Sequence, residues 1–111
     1  PSPRFSIAAR TSPSQSARYE RDLFQSVVAL RTAAEARAFL RDLCTPAELE
    51  AMADRWAVVA ELRRGLPYRK IHEKTGVSVT TIGRVARCLL DGQGGYALIA
   101  DRLGEEKESA S

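Results

Sequence analysis

The 111-residue sequence predicts an all-α fold of six helices, and three observations lead there. Sustained apolar/polar alternation, the mark of a half-buried strand, is absent. Apolar residues instead recur at helical spacing from about Gln15 to Leu103, punctuated by cap sequences. Within that span, Tyr68 to Leu90 (YRKIHEKTGVSVTTIGRVARCLL) reads as two short helices joined by a tight turn at Gly76-Val77-Ser78. The length bounds the chain to one domain with tails. We read residues 1–14 as a flexible arm, 15–103 as the helical domain and 104–111 as a flexible polar tail.

The elements follow in order. Residues 1–14 are rich in Pro, Ser and Arg and have no period. Ala17 to Leu30 carries Leu23, Phe24, Val27, Val28 and Leu30 on a broad apolar face. Thr32-Ala-Ala-Glu35 is a capping-box sequence, and Ala36, Phe39, Leu40 and Leu43 continue its helix. Thr45-Pro46-Ala-Glu48 is a second capping box, with proline at the first helical position, where its missing N–H costs nothing. That third helix is expected to run to Arg64 and stop at Gly65. Leu49, Met52, Trp56 and Val59 form one apolar stripe on it, while Ala51, Val58 and Leu62 lie on another flank. A helix apolar on several sides in so short a chain needs more partners than one copy supplies, which points to a homodimer.

The stretch from 68 to 90 is the most informative. The first of its helices must end at Lys74-Thr75, and glycine takes the left-handed conformation that follows at little cost. Ser78 can cap the second helix by accepting from the backbone N–H of Thr81. Ile71, Val77, Ile82 and Val85 fall where two crossed helices share a small core. The opposite face of the second helix carries Thr80, Thr81, Gly83, Arg84 and Arg87. His72 occupies a position where such motifs place a small residue against the second helix, so a less standard crossing is expected. The pattern is that of a helix-turn-helix, which sets one helix in the major groove of double-stranded DNA, where hydroxyl and guanidinium groups suit base edges and phosphates. The charge agrees. Residues 61–90 hold seven Lys/Arg (63, 64, 69, 70, 74, 84, 87) against two acids, net +5, whereas residues 1–60 carry +1 and residues 91–111 carry −3. Positive charge is thus centred where phosphates would lie.

Beyond Leu90, Asp91-Gly92-Gln93-Gly94-Gly95 is a flexible turn, and no Gly-Lys-Ser/Thr follows to make it a phosphate loop. A short helix is expected from about Tyr96 to Leu103, presenting Tyr96, Leu98, Ile99 and Leu103. Cys44 and Cys88 have no metal-ligand spacing, so a reduced, cytoplasmic protein without a metal site is expected. Neither a transmembrane run nor a signal peptide is legible, and no membrane partner is expected. An enzyme is not expected: His72, the only histidine, has no nucleophile at a recognisable spacing and reads as a surface or backbone-contacting residue.

These residues together resemble the Trp repressor family. LCTPAELEAMADRW and VVAELRRG look like that family's long central helix, and Thr75 to Arg84, T-G-x-S-x-x-T-I-x-R, matches its most specific signature. The resemblance spans about residues 17–103, and RRGLPYRKIHEKTG and RCLLDGQGGY place the chain nearest the YerC/YecD-type bacterial branch. It implies a Trp-repressor-like, intertwined homodimer and a DNA-binding transcriptional regulator, a repressor. It also implies a major-groove helix starting at Val79, with Arg69, His72, Val79, Thr80 and Gly83 at DNA-contact positions. Lys70, Lys74, Thr81, Arg84 and Arg87 complete the expected interface. The alternative is a helix-turn-helix module for protein interaction or DNA processing, without operator specificity.

No cofactor is certain. The resemblance implies a small-molecule corepressor site, with Thr45, Arg55 and Arg84 at pocket positions. Val85 and Cys88 depart from it, standing where the repressor has a glycine beside the indole and a serine near the amino group. A branched side chain lies where a flat ring would go, and a weak thiol replaces a hydroxyl acceptor. A lost polar contact costs about 1–3 kcal/mol. Isothermal titration with free L-tryptophan is therefore expected to show no micromolar binding, and a micromolar dissociation constant would overturn that expectation.

Overall fold

The computed structural model describes residues 13–110, with side chains through residue 104. Six α-helices and no strand occur among the described residues: α1 (Pro13–Val28), α2 (Ala33–Leu43), α3 (Pro46–Arg63), α4 (Tyr68–Thr75), α5 (Val79–Asp91) and α6 (Gly95–Ala110). The chain divides into two compact units, Pro1–Leu43 and Cys44–Ser111.

In the first unit, α1 begins at Pro13, so Pro13 and Ser14, assigned to the arm by the sequence, are helical. Proline fits the first turn because its fixed φ suits the helix and its absent N–H has no partner to lose. The rest of the arm, residues 1–12, lies outside the described residues. Leu23 and Val27, and Phe24 and Val28, stand at i,i+4 spacing along α1. None of α1 or α2 is buried, and Val28 is 83% exposed. At the start of α2, Thr32 Oγ1 accepts from the Glu35 N–H at 3.1 Å. The Glu35 carboxylate, however, accepts from the N–H of Arg31 at 2.9 Å, one residue ahead of the cap, so the expected box closes one position early.

The second unit is built on α3. Its capping box is complete: Thr45 accepts from the Glu48 N–H at 3.1 Å, and Glu48 accepts from the Thr45 N–H at 2.8 Å. The far end closes on Gly65 at φ 81°, with Gly65 N–H donating to Leu62 O at 2.9 Å and Leu66 N–H to Glu61 O at 3.3 Å. This paired closure satisfies two end carbonyls and turns Leu66 back onto the core.

The core of this unit is aliphatic. Val58 and Val59 of α3, Ile71 of α4, Val77 of the turn, and Ile82 and Val85 of α5 are the buried hydrophobic residues among those described. Leu62, Leu66, Leu89, Tyr96 and Ala100 pack around them. Helix α3 therefore holds α4 and α5 on one side. It also meets α6 through a tilted Trp56–Tyr96 ring pair, centroids 6.3 Å apart, and the Arg63–Asp101 ion pair. That pair is too exposed to stabilise much. Helix α6 continues past Leu103 to Ala110. The Glu and Lys residues there, read as a frayed polar tail, are good helix formers.

Truncating the core should separate sharply from truncating the surface. Ile71→Ala is expected to destabilise by about 2–5 kcal/mol through lost burial and the cavity left behind. Leu90→Ala, at an 85% exposed site, should change stability by no more than about 0.5 kcal/mol. Urea unfolding followed by circular dichroism would distinguish them.

Candidate nucleic-acid interface

The turn between α4 and α5 is set by one glycine and three side chains. Gly76 has φ 78°, where a Cβ would be strained, and its N–H donates to His72 O at 2.8 Å. Ser78 caps α5 by accepting from the Thr81 N–H at 3.1 Å. The Thr75 hydroxyl donates to Ile71 O at 2.7 Å and accepts from the Val77 N–H at 3.1 Å. His72 Nδ1 lies 2.8 Å from Val77 O. His72, read from the sequence as a surface or backbone-contacting residue, is exposed and meets backbone across the turn.

Helix α5 has two faces. Ile82 and Val85 are buried inward. Val79, Thr80, Arg84 and Arg87 are exposed, and Gly83 is half-buried beneath Tyr68. Thr81 is half-buried, and its hydroxyl accepts from Ser78 Oγ at 3.0 Å, so it serves the cap rather than standing free.

The expected cations fall into two groups. Lys74 donates to Glu61 at 3.1 Å, and Arg64 reaches the same carboxylate at 3.3 Å. Glu61, 12% exposed at its side chain, therefore offsets charge beside α4. Arg69 is 90% exposed and only loosely paired with Glu73 at 4.0 Å. Lys70, Arg84 and Arg87 are exposed and make no ion pair with any described residue. Among these expected cations, the free positive charge thus lies on α4 and on the outer face of α5. The partition of Lys74 was not legible in the sequence, because Glu61 is thirteen positions away and belongs to another helix.

The expected effector residues do not converge within one chain. Thr45 caps the start of α3 and Arg55 lies mid-helix. Ten residues of helix separate them by about 15 Å along the axis. Val85 is 1% exposed and belongs to the core, so it lines no open surface. Arg84 and Cys88, at i,i+4, are both exposed on α5. Of the five, only Cys88 borders the open groove of about 750 Å³ formed with Trp56, Gly92 to Tyr96 and Ile99. The sequence reading did not identify that groove. Its walls come from α3, α5, α6 and the glycine loop, which meet only through packing. Among the described residues, no helix is long and apolar enough to cross a membrane.

Comparison with known proteins follows the same outline. The family described as Trp repressor protein matches residues 20–104. The uncharacterized protein YerC of Bacillus subtilis (strain 168) is 43% identical over 90 residues, covering 80% of this chain and 86% of that protein. A TrpR-like protein from Eubacterium eligens ATCC 27750, known from its crystal structure, superposes with a TM-score of 0.72 at 40% identity, over 76% of this chain and 87% of that one. A candidate Trp repressor from Staphylococcus aureus gives 0.75 at 29% identity, over 85% and 96%.

Gly83 supplies a test that separates packing from function. A Cβ there would meet Tyr68 Cε2 at 3.9 Å, an ordinary contact. Nothing in the fold requires glycine at that point. Gly83→Ala is expected to raise stability by about 0.5–1 kcal/mol, the usual helix-interior gain. A fall in the thermal midpoint would show a packing demand that the contact does not reveal.

Proposed function

The chain belongs to the Trp repressor family, and from that premise we propose that it is a cytoplasmic, sequence-specific DNA-binding transcriptional regulator, a repressor that occludes promoter DNA. Family membership supports the DNA-binding regulator. The observation that carries the finer reading is the outer face of α5. Val79, Thr80, Arg84 and Arg87 stand exposed there, the two arginines without an ion pair among the described residues, backed by a buried face that anchors the helix. In this reading α5 enters the major groove with Val79, Thr80 and Gly83 at its floor. Arg84 and Arg87, with Arg69 and Lys70 from α4, meet phosphates or base edges. Lys74 contributes less, because Glu61 already holds it.

The same reading makes the protein a homodimer. Phe24 and Val28 of α1, Met52 and Trp56 of α3, and Leu98, Ile99 and Leu103 of α6 are exposed large apolar side chains that a partner chain would cover. Two subunits would present two α5 helices to major grooves about 34 Å apart. A corepressor framed by Thr45, Arg55 and Arg84 requires residues from both subunits, since Thr45 and Arg55 lie far apart on one helix.

Selection of bound sequences from random DNA tests this directly. A palindromic site is expected, and Thr80→Ala or Arg84→Ala should weaken binding to it by about 1–3 kcal/mol with unchanged thermal unfolding. Gly83→Ala should weaken it as well, despite its gain in stability. The log–log salt slope should approach −0.9 for each neutralised phosphate. DNA binding without sequence preference would favour an accessory module. Undiminished binding by both alanine variants would refute the assignment of the reading face.

A further inference from the structure

Val77 is the middle residue of the turn, 6% exposed, and belongs to neither helix. A backbone unit so placed lacks a helical partner for its N–H and C=O, and both must be satisfied. Two side chains of α4 do so. Thr75 accepts from the Val77 N–H at 3.1 Å, and the His72 ring lies 2.8 Å from the Val77 carbonyl. A carbonyl oxygen only accepts, so this contact puts the imidazole proton on Nδ1. Both backbone polar groups of Val77 are therefore clamped to α4, one residue before the Ser78 cap of α5.

We propose that His72 is a positioning residue: through Nδ1–H it fixes the Val77 carbonyl, and with it the angle at which α5 leaves α4, setting discrimination between DNA sequences rather than affinity for phosphate. The proposal rests on the DNA-binding reading above. Direct base contacts tolerate little misplacement of the helix that carries them, whereas long cationic side chains reach phosphates from a range of helix angles. Loss of the clamp thus costs specific binding and spares non-specific binding. A phosphate contact by His72 would do the reverse, lowering both affinities and the salt slope.

Conservative variants of the full-length protein separate these roles. In His72→Asn the amide nitrogen branches where Nδ1 does, so the clamp can re-form. In His72→Gln it lies farther out, near the place of Nε2. The readouts are the ratio of affinity for the selected site to affinity for random DNA of equal length, and the salt slope. His72→Asn should keep the ratio. His72→Gln and His72→Ala should lose about tenfold in it, the scale of one hydrogen bond, with the slope unchanged. Retention by His72→Gln and loss by His72→Asn, or a slope smaller in magnitude by about 0.9 in His72→Ala at constant ratio, would overturn the proposal. Nitrogen-15 NMR of the neutral wild-type imidazole adds a measurement that needs no variant and no DNA. Protonation at Nδ1 is expected, and protonation at Nε2 overturns the clamp. If the wild-type protein prefers no sequence, the DNA reading fails and the discriminating role fails with it, while the NMR result still decides whether the clamp exists.

Discussion

The second unit depends on one aliphatic contact, Val58 and Val59 of α3 against Ile71, Val77, Ile82 and Val85. These side chains are small and branched, and they come from three helices and a turn. Their burial is what gives α4 and α5, eight and thirteen residues long, a defined placement. Isolated helices of about this length are marginal in water. Packing against a long, well-capped α3 supplies what local propensity does not. The outer face of α5 is free to carry polar and cationic groups because its inner face already holds the helix.

Charge is distributed on that frame unevenly. Glu61 engages Lys74 and Arg64, and Asp101 engages Arg63, so these three cations are occupied within the fold. Of the cations expected at the interface, Lys70, Arg84 and Arg87 stay unpaired among the described residues, and they lie on α4 and α5. Exposed charges without neighbouring opposite charge give up less when they meet phosphate, and release of counterions favours the encounter. The proposed interface therefore rests on fewer cations than the net charge of its segment suggests.

Apolar exposure sets a second theme. Six apolar side chains are buried among the described residues, while fourteen large ones stand exposed, Phe24, Met52, Trp56 and Ile99 among them. Along α3 the exposure changes: Val58 and Val59 belong to the core with α4 and α5, while Met52 and Trp56, nearer the start of the helix, stay exposed. The proposed homodimer gives those residues an occupant. It also accounts for a corepressor set that no single chain brings together.

Much of the fold was legible in the sequence, for local reasons. The Thr45–Glu48 box, the Gly65 and Gly76 stops and the Ser78 cap are each decided within a few residues, and each lies where the pattern put it. The shared core of Ile71, Val77, Ile82 and Val85 followed from helical period alone. Helix ends were less well determined: α1 starts at Pro13 and α6 runs to Ala110, because proline and charged helix formers read as loop when no apolar period continues through them. The family, too, was written in the sequence, in the run from Thr75 to Arg84. Tertiary structure alone decided which cations are free, since Glu61 reaches Lys74 across two helices. It decided that Thr81 serves a cap. It also showed which backbone group His72 meets, the Val77 carbonyl across the turn. Sequence spacing fixes periodicity and caps, which are one-dimensional; the partner of a long polar side chain depends on how helices cross, and packing sets that.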